Sequence, residues 1–272
     1  MIALPMAPAE RAERLTGRPS LSFSSISTFQ ACPLRWKFRY VLGLPEETKS
    51  ANLVFGSAVH SALQRHFEGL LEDDKPPPFD DLMEAYRTAW KDETDEVTFS
   101  KGDTAATLET LAAKMVHVFQ TSELAVPTGT ILAVEEELVG EISPDCPPML
   151  ARLDLAVETD EAVVITDFKT SRSRWSYEQV EDSATQLVLY QELAGSFAGD
   201  KPIQLQFGVL TKTKEPSVDI HPVYADQHVV DRTRRIIERV WDAIQTETFY
   251  PAPSPLQCPS CGYRSTCRAW AG

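Results

Sequence analysis

The sequence predicts an α/β fold with a helical N-terminal elaboration, and three observations lead to that prediction. Up to about residue 125 the apolar residues recur at helical spacing, whereas the alternation typical of strands begins near residue 130. Strands and helices then follow one another up to residue 248, which is the pattern of an α/β core. A cysteine-rich segment ends the sequence. We therefore predict one domain over 21–272, made of a mainly helical part (21–125), an α/β core (130–248) and the cysteine-rich segment (249–272).

The stretch 1–20, MIALPMAPAERAERLTGRPS, predicts a flexible N-terminal arm, because Pro, Ala and Arg dominate it. It lacks the basic start and long apolar stretch of a signal peptide. The sequence also lacks any apolar run as long as a membrane-spanning helix needs. We therefore expect a cytoplasmic protein that has no contact with a membrane.

Four helical segments are predicted in the first half. SFSSISTFQACPLRWKFRYVLGL begins at a candidate N-cap, Ser24 or Ser25, ends near Gly43 and contains a predicted break at Pro33. NLVFGSAVHSALQRHFEGLLED has apolar residues at helical spacing, and KPPPF after it is a loop. Two further helices are predicted at about 80–95 and 103–123.

The second half alternates between strands and helices. GTILAVEEELVGEI, PMLARLDLAVET and EAVVITDFKT predict three strands, and ETDEA predicts the hairpin turn that joins the last two. EDSATQLVLYQELAGSF then predicts a helix, IQLQFGVLTKT and SVDIHPVY predict two strands, and ADQHVVDRTRRIIERVWDAIQTETF predicts a long helix.

The net charge of −14 argues against a protein whose whole surface is covered with nucleic acid. A local basic groove remains compatible with it. Arg172 and Arg174 follow the third strand, and Arg35, Lys37 and Arg39 form a second basic cluster. The acidic runs LEDD, KDETDE and VEEELVGE predict solvated faces.

An acid and a lysine lie on alternate positions at the end of the third strand, in VVITDFKT. Asp167 and Lys169 face the same way, because alternate residues of a strand share a face, and Phe168 faces the other. Asp154 lies on the preceding strand, and pairing of the two strands brings its carboxylate close to that of Asp167. Two such carboxylates repel one another unless a cation lies between them. Mg²⁺ or Mn²⁺, which prefers oxygen ligands, is the expected cation.

This pattern favours phosphodiester hydrolysis. The carbonyl of Phe168 would supply a further oxygen, and Lys169 would position an attacking water and neutralise charge on a phosphate. A metal that lowers the pKa of water and binds phosphate oxygens is what this reaction needs. The alternative is a surface Asp–Lys pair on a hairpin, because D-x-K is common by chance.

Several motifs resemble one known family in the right order. LDLAVETDEAVVITDFKT resembles the core of the PD-(D/E)xK nucleases, in the subgroup of the RecB and AddB nuclease domains. FGSAVHSALQRHF resembles that subgroup's helical motif, in which a His, here His60, completes the metal site. QLVLYQ resembles its Q-x-x-x-Y motif, with Gln186 and Tyr190 one helical turn apart. The resemblance runs from about residue 22 to the end of the sequence.

The resemblance implies a restriction-endonuclease-like fold, which is a central mixed sheet flanked by helices. It also implies a metal-dependent DNA exonuclease that acts on single strands or DNA ends. The implied ligands of Mg²⁺ or Mn²⁺ are His60, Asp154, Asp167 and Phe168, and the implied catalytic residues are Asp154, Asp167, Lys169, Gln186 and Tyr190. An imidazole among oxygens makes Mn²⁺ somewhat more favourable.

Three positions require comment beside this resemblance. The family often has Gly-Arg before the first Asp, where this sequence has Ala151-Arg152. The family also tends to carry an acid on the preceding strand, and Glu135, Glu136 and Glu137 all remain candidates. His60 taken alone, on a helix rich in Ala and Leu, is more typical of a packed residue than of a ligand.

Three of the five cysteines lie in CPSCGYRSTC, as Cys258, Cys261 and Cys267. Cys32 lies far upstream, and Cys146, in a loop, is expected to be a bystander. An odd number of cysteines in a cytoplasmic protein argues against a disulfide framework. The C-x₂-C spacing with a third Cys predicts a metal site, and on spacing alone zinc and iron–sulfur are both open.

The resemblance favours iron–sulfur over zinc. One remote cysteine followed by a C-terminal triplet resembles the [4Fe–4S] site of AddB and of the CRISPR-adaptation exonucleases related to RecB. Thiolates hold such clusters. The implied ligands are Cys32, Cys258, Cys261 and Cys267, which would tie the first helix to the last loop. Ligand binding would then contribute to folding.

DNA is the expected partner. Arg152, Arg172 and Arg174 are candidates for phosphate contacts. Trp175 and Tyr177 are candidates for stacking on bases or for core packing, and core packing is the expectation for Trp36.

The sequence has no G-x-x-x-x-G-K-[ST] motif, so it has no ATPase motor of its own. We therefore expect it to act alone, with a separate helicase in DNA repair or recombination, or with an integrase in CRISPR adaptation. Two alternatives stay open. One is a non-catalytic DNA-binding scaffold that keeps the fold and the cluster, and the other is a redox protein whose acid–lysine hairpin is incidental.

Overall fold

A computed structural model of the chain describes residues 6–93 and 96–272, apart from the side chains of Ser196 and Phe197. The chain divides into two compact units. The terminal unit contains the residues up to 48, 137–151 and 225–272, and the central unit contains 49–136 and 152–224. These boundaries differ from those of the three predicted parts, and the single domain over 21–272 stays a prediction.

Helices and strands appear largely where the sequence predicts them. The helices are α1 (Pro8–Thr16), α2 (Phe23–Ala31), α3 (Pro33–Trp36), α4 (Ala51–Asp73), α5 (Phe79–Lys91), α6 (Ala105–Gln120), α7 (Tyr177–Ser183), α8 (Thr185–Leu193), α9 (Gly195–Ala198), α10 (Gln227–Gln245) and α11 (Arg264–Ala269). The strands are β1 (Leu21–Ser22), β2 (Lys49–Ser50), β3 (Val97–Thr98), β4 (Thr130–Gly140), β5 (Met149–Glu158), β6 (Val163–Ser171), β7 (Ile203–Thr211) and β8 (Val218–Val223).

The main sheet is mixed, as predicted. Its order is β1-β5-β6-β7-β8, with β4 beside β5. β5 and β6 form the predicted antiparallel hairpin, β6 and β7 are parallel, and β7 and β8 are antiparallel. β5 begins in the terminal unit, where Met149 and Leu150 pair with β1, and it continues into the central unit. The mixed sheet with flanking helices confirms the predicted fold class.

The predicted flexible arm is wrong over Pro8–Thr16, which form α1. Pro8 suits the first turn of a helix because its missing N–H has no acceptor there, and Gly17 ends α1 in the left-handed region. Ala12 is fully buried, and Arg11 donates a hydrogen bond of 3.2 Å to Gln245 within the terminal unit. The part of the arm that forms α1 therefore packs within the terminal unit. Positions 1–5 of the arm lie outside the described residues, as do positions 94–95 of the acidic run KDETDE.

The start of α2 also differs from the prediction. Ser22, rather than Ser24 or Ser25, is the N-cap, and its hydroxyl accepts a hydrogen bond from the N–H of Ser25. Ser25 is buried and its hydroxyl accepts a bond of 2.8 Å from the Trp36 indole. Trp36 is completely buried, as predicted, and the predicted break at Pro33 is confirmed because α3 begins there.

The core of the central unit lies where α4, α5 and α6 pack together with the sheet. Phe67 of α4 stacks on Phe168 of β6 at 5.7 Å between ring centres, and Phe119 of α6 meets both rings edge-on. Gly208 of β7 leaves room for the Phe168 ring, because a Cβ there would lie 2.7 Å from it. This packing fixes β6 against α4.

The predicted single helix over EDSATQLVLYQELAGSF is instead three short helices, α7 to α9. α7 begins earlier than predicted, because Ser176 and Gln179 form a reciprocal capping box. α8 then carries Gln186 and Tyr190. Among the described residues, no helix is both long enough and apolar enough to cross a bilayer.

Candidate active site

The β5–β6 hairpin brings Asp154 and Asp167 to neighbouring positions. The antiparallel register pairs Leu155 with Thr166, and the two acids are the next residues along their strands. Asp154 Oδ2 accepts a hydrogen bond of 2.7 Å from the N–H of Phe168. The backbone between Asp167 and Lys169 therefore fixes the carboxylate of the adjacent strand.

α4 and β4 add a nitrogen and an oxygen ligand to this hairpin. His60 Nδ1 lies 3.5 Å from Asp154 Oδ2. His60, Glu135 and Asp154 each offer one ligand atom, and these three atoms all lie within 4.8 Å of one another. All three side chains are partly buried. The structure thus selects Glu135 from the three glutamates that the sequence left open.

The backbone of Glu135 explains why the sequence could not select it. Its φ is 50°, in the left-handed region that residues other than glycine rarely adopt. Such a residue interrupts the regular alternation of a strand and redirects its side chain. Strained backbone of this kind costs about 1–3 kcal/mol and is concentrated at functional sites.

Asp167 is the most buried acid of the site, with 1% of its side chain exposed. Lys169 Nζ lies 2.6 Å from its Oδ2. Burial raises the pKa of Asp167 to about 6; the ammonium of Lys169 acts against this effect, and the carboxylate of Asp154 adds to it. Asp167 Oδ2 lacks a hydrogen bond of good geometry, so it keeps lone pairs for a further cation.

Lys169 is held from its other side by α8. Its ammonium donates a hydrogen bond of 2.8 Å to Gln186 Oε1, and Gln186 Nε2 donates to the hydroxyl of Tyr190. Tyr190 is buried, and burial together with the charge of Asp167 raises the pKa of its phenol. The predicted Q-x-x-x-Y pair therefore reaches the Asp–Lys strand as a connected chain of hydrogen bonds.

The electrostatics of the site favour a bound cation. Burial, and then the charge of Asp154, raise the pKa of Glu135 to about 7. Three carboxylates thus share one region, and among the described residues Lys169 forms an ion pair with Asp167 alone of the three. One imidazole and several carboxylate oxygens are a suitable ligand set for Mg²⁺ or Mn²⁺. His60, Glu135, Asp154 and Asp167 fit such an ion, whereas ligation by the Phe168 carbonyl stays a prediction.

A second histidine on the same helix has a different environment. His66 is 1% exposed, and its Nε2 lies 2.7 Å from the carbonyl oxygen of Ala125. Burial lowers its pKa. His66 is a packed core residue, while His60, six positions earlier on α4, faces the carboxylates.

The predicted DNA contacts differ in their surroundings. Arg152 and Arg172 are exposed, and Arg152 Nε lies 3.9 Å from Glu135. Arg174 is also exposed and lies 3.5 Å from Asp219. Trp175 packs on Phe207 and His221, whereas Tyr177 is 74% exposed. Of the two aromatic candidates, Tyr177 is the one with an exposed ring.

The terminal unit gathers the four cysteines around one cavity of about 240 Å³. Cys32, Cys258, Cys261 and Cys267 all line it, together with Arg35, Arg264 and Arg268. Burial, followed by the charges of the other three cysteines, raises the pKa of Cys267. Among the described residues, no three of these sulfurs lie within 4.8 Å of one another. Cys146 is buried and is not among the residues that line this cavity.

The central sheet with an Asp–Lys strand beside a His–Glu–Asp cluster defines a restriction-endonuclease-like protein. The model of the PD-(D/E)XK nuclease superfamily matches residues 20–268. The chain belongs to this superfamily, which supports a nuclease.

One solved structure shows the same fold at low sequence identity. The crystal structure of a "Putative exonuclease" from Eubacterium rectale has a TM-score of 0.61 and 16% identity, over 98% of this chain and 94% of that one. The structure of SSO0001 has a TM-score of 0.35 and 13% identity, over 90% of this chain and 95% of that one, which is too distant to indicate a shared function. No curated protein matches the sequence.

Proposed function

We propose that this protein is a Mg²⁺- or Mn²⁺-dependent deoxyribonuclease, and specifically an exonuclease that acts on single-stranded DNA or DNA ends. One observation carries the proposal: the buried Asp167, paired with the half-buried Lys169, lies beside His60, Glu135 and Asp154, whose ligand atoms lie within 4.8 Å of one another. The structural likeness to the "Putative exonuclease" supports the exonuclease assignment.

His60, Glu135, Asp154 and Asp167 would hold the metal. When bound, a divalent metal supplies Lewis-acid chemistry, since it stabilises charge on phosphate oxygens and lowers the pKa of water. The remaining chemistry belongs to the chain. Hydrolysis forms a bond from a water oxygen to phosphorus, breaks the bond to one ester oxygen, and moves a proton from the water to the leaving alcohol.

Lys169 is the residue that would orient the water and balance phosphate charge. Its ammonium is fixed between Asp167 at 2.6 Å and Gln186 at 2.8 Å, so it is ordered before any substrate arrives. Such ordering lowers the entropic cost of reaching the transition state. Gln186 and Tyr190 act through Lys169 and are positioning residues.

The test is a nuclease assay on labelled single-stranded and duplex DNA, tagged at either end, with Mn²⁺ or Mg²⁺ at low salt. We expect metal-dependent shortening from an end, and we expect Lys169→Met and Asp167→Asn to lose at least about 100-fold in rate. Asp160→Asn, in the exposed hairpin turn, is the matched control and should cut normally. Equal rates for Asp167→Asn and Asp160→Asn would contradict the proposal.

We further propose that the four cysteines of the terminal unit bind a [4Fe–4S] cluster. Their common cavity supports a metal centre at this position. Zinc–sulfur bonds of about 2.3 Å in a tetrahedron place the sulfurs roughly 3.8 Å apart. Among the described residues no three of these sulfurs lie within 4.8 Å of one another, which favours the larger cluster over a single zinc ion.

Anaerobic purification with iron, sulfide and zinc analysis tests this proposal. A brown protein with about four irons and four sulfides, lost in Cys261→Ala but retained in Cys146→Ala, is the expected result. Stoichiometric zinc without sulfide would overturn it. The two cysteine variants are matched because both remove one thiol.

The proposed pathway is DNA repair or recombination with a separate helicase, or CRISPR adaptation with an integrase. The second candidate function is a non-catalytic iron–sulfur scaffold that binds DNA. The complete set of Asp154, Asp167 and Lys169, in contact with a hydrogen-bonded Gln186, favours the enzyme. A folded, metal-loaded protein that binds every DNA substrate and cuts none would favour the scaffold.

A further inference from the structure

Two cationic residues directly follow the carboxyl ends of two adjacent parallel strands. The β6–β7 register pairs Ser171 with Thr211, and the next residues are Arg172 and Lys212. The N–H of Lys212 donates a hydrogen bond of 2.5 Å to the carbonyl of Ser171, which keeps the strands together at this point. The carboxyl ends of parallel strands are where α/β proteins commonly bind ligands.

Lys212 is a half-buried cation without a carboxylate partner among the described residues. Its ammonium donates a hydrogen bond of 3.2 Å to Asn52 Oδ1, in the first turn of α4. The same ammonium lies 5.6 Å from the ring centre of Phe55. Burial lowers the pKa of Lys212, the charge of Arg172 lowers it further, and Asp103 acts weakly in the opposite direction.

Arg172 is also without a counter-ion. It is exposed and makes no ion pair or side-chain hydrogen bond within residues 6–93 and 96–272. Arg174, two positions later, lies 3.5 Å from Asp219 and is therefore already paired. Two neighbouring cations, one of them half-buried, repel one another unless an anion lies between them.

This pair lies a short distance from the acid cluster, measured along two elements. Asn52 and His60 are eight positions apart on α4, which is about 12 Å of helix. Lys169 and Arg172 are three positions apart at the end of β6, which is about 10 Å of strand. Successive phosphates of a DNA strand are farther apart than the axial rise of about 3.4 Å per nucleotide, so this separation corresponds to no more than about three nucleotides.

We propose that Lys212 and Arg172 bind one backbone phosphate of the DNA strand, no more than about three nucleotides from the phosphate that is cut. Asn52 orients the Lys212 ammonium for this contact. The site sets the position of the strand relative to the acid cluster without reading its bases. This inference rests on the proposed nuclease function and names a substrate contact that the acid–lysine motif does not include.

The test uses single-stranded DNA in which one phosphate at a time is replaced by a neutral methylphosphonate. Affinities are measured in the presence of a chelator, so that no strand is cut. We expect wild type to lose about tenfold in affinity at one or two adjacent linkages. Lys212→Met should bind unmodified DNA about tenfold more weakly and should be indifferent to replacement at those same linkages. Its salt slope should fall by about 0.7 for the lost contact.

Met is the chosen replacement because it retains an unbranched apolar stem over Phe55. Lys75→Met, in the exposed loop beyond the other end of α4, is the matched control and should behave as wild type. If Lys212→Met fails to fold, Arg172→Gln at its exposed position carries the same test. Variants that keep the wild-type sensitivity at every linkage would overturn the inference.

Cleavage of unmodified DNA by wild type with Mn²⁺ is measured in parallel, which separates the two proposals. Cleavage by wild type without a linkage-specific loss in its affinity, or with a loss that both variants retain, would overturn the phosphate site alone. A linkage-specific loss without any cleavage would support the phosphate site while the proposed catalytic function failed.

Discussion

The N–H of Phe168 holds Asp154 Oδ2 at 2.7 Å, so the backbone of the Asp-x-Lys strand fixes the acid of the strand beside it. The Phe168 ring points the other way, into the aromatic cluster with Phe67 and Phe119. One residue therefore connects the core of the central unit to the acid cluster. Core packing and ligand geometry are consequently coupled at this residue.

This hydrogen bond leads to a prediction that separates charge from geometry. Asp154→Asn keeps an oxygen acceptor for the Phe168 N–H but loses the charge, whereas Asp154→Ala loses both. We expect both variants to lose at least about 100-fold in Mn²⁺ affinity, since changes even in outer contacts of a metal site cost about 10–100-fold. Only Asp154→Ala should lose about 1–3 kcal/mol in unfolding free energy.

Isothermal titration with Mn²⁺ and urea unfolding measure these two effects. Asp160→Asn serves as the control for a charge lost from the same hairpin. Equal unfolding free energies for the Asn and Ala variants would show that the hydrogen bond does not stabilise the fold.

The raised pKa values predict a pH dependence of metal binding. Protons compete with the metal for Glu135, whose pKa is raised to about 7, and for Asp167, whose pKa is raised to about 6. Mn²⁺ affinity should therefore fall as pH falls through this range. For the metal-free protein, the stability of the fold depends on pH in the opposite direction, so it is greater at low pH. Groups with a raised folded pKa stabilise the fold below their unfolded pKa of about 4, and this contribution is lost as pH rises through 6 to 7.

The increase in Tm on adding Mn²⁺ should thus grow between pH 5 and pH 8. Thermal scans with and without the metal at each pH measure it. In Glu135→Gln the part of this growth centred near pH 7 should disappear. A metal-induced increase in Tm that is the same at every pH would contradict the prediction.

Tyr190→Phe tests the positioning role of the phenol. The change removes the acceptor of the Gln186 N–H and leaves the buried ring in place. We expect a nuclease rate about tenfold lower with little change in the KM for DNA, because Lys169 is less well ordered in the transition state. Tyr177→Phe, on an exposed ring, should retain the wild-type rate. An unchanged kcat in Tyr190→Phe would show that the phenol hydroxyl has no positioning role in the reaction.

The left-handed backbone of Glu135 predicts an order of stabilities. Glycine adopts a φ of 50° without strain, and alanine does not. We expect the free energy of unfolding of Glu135→Gly to be about 1 kcal/mol larger than that of Glu135→Ala. Both variants lack the carboxylate and should bind Mn²⁺ equally weakly. Urea unfolding of the two metal-free proteins measures the difference, and the opposite order would show that the strain is absent.

The hairpin could be predicted because it depends on local pattern. Alternation marks β5 and β6, a short turn joins them, and their register then places Asp154 near Asp167. The choice among Glu135, Glu136 and Glu137 could not be predicted in this way, since the backbone of Glu135 departs from the alternation on which such a choice depends. A left-handed φ at a glutamate is not indicated by the local sequence, because such residues rarely adopt it.

Lys212 was missed for a different reason. Its importance depends on the parallel pairing of β6 with β7, which sets it beside Arg172 although the two are far apart in the sequence. Nothing within its own segment, LTKTKEP, distinguishes it from Lys214. The helix α1 was missed because composition alone outweighed the Pro8 start, the Gly17 end and the buried Ala12.

The terminal unit has a consequence for how this chain is made. Its N-terminal segment, which ends at Thr48 and includes Cys32, finds its partners in 137–151 and in 225–272. At about 5–20 residues per second, a ribosome needs on the order of 10 to 40 s to reach those later residues. The central unit can be completed earlier, whereas the early helices must wait for the last-made segment. During that interval their apolar faces and the Cys32 thiol remain without the partners that they have in the folded unit.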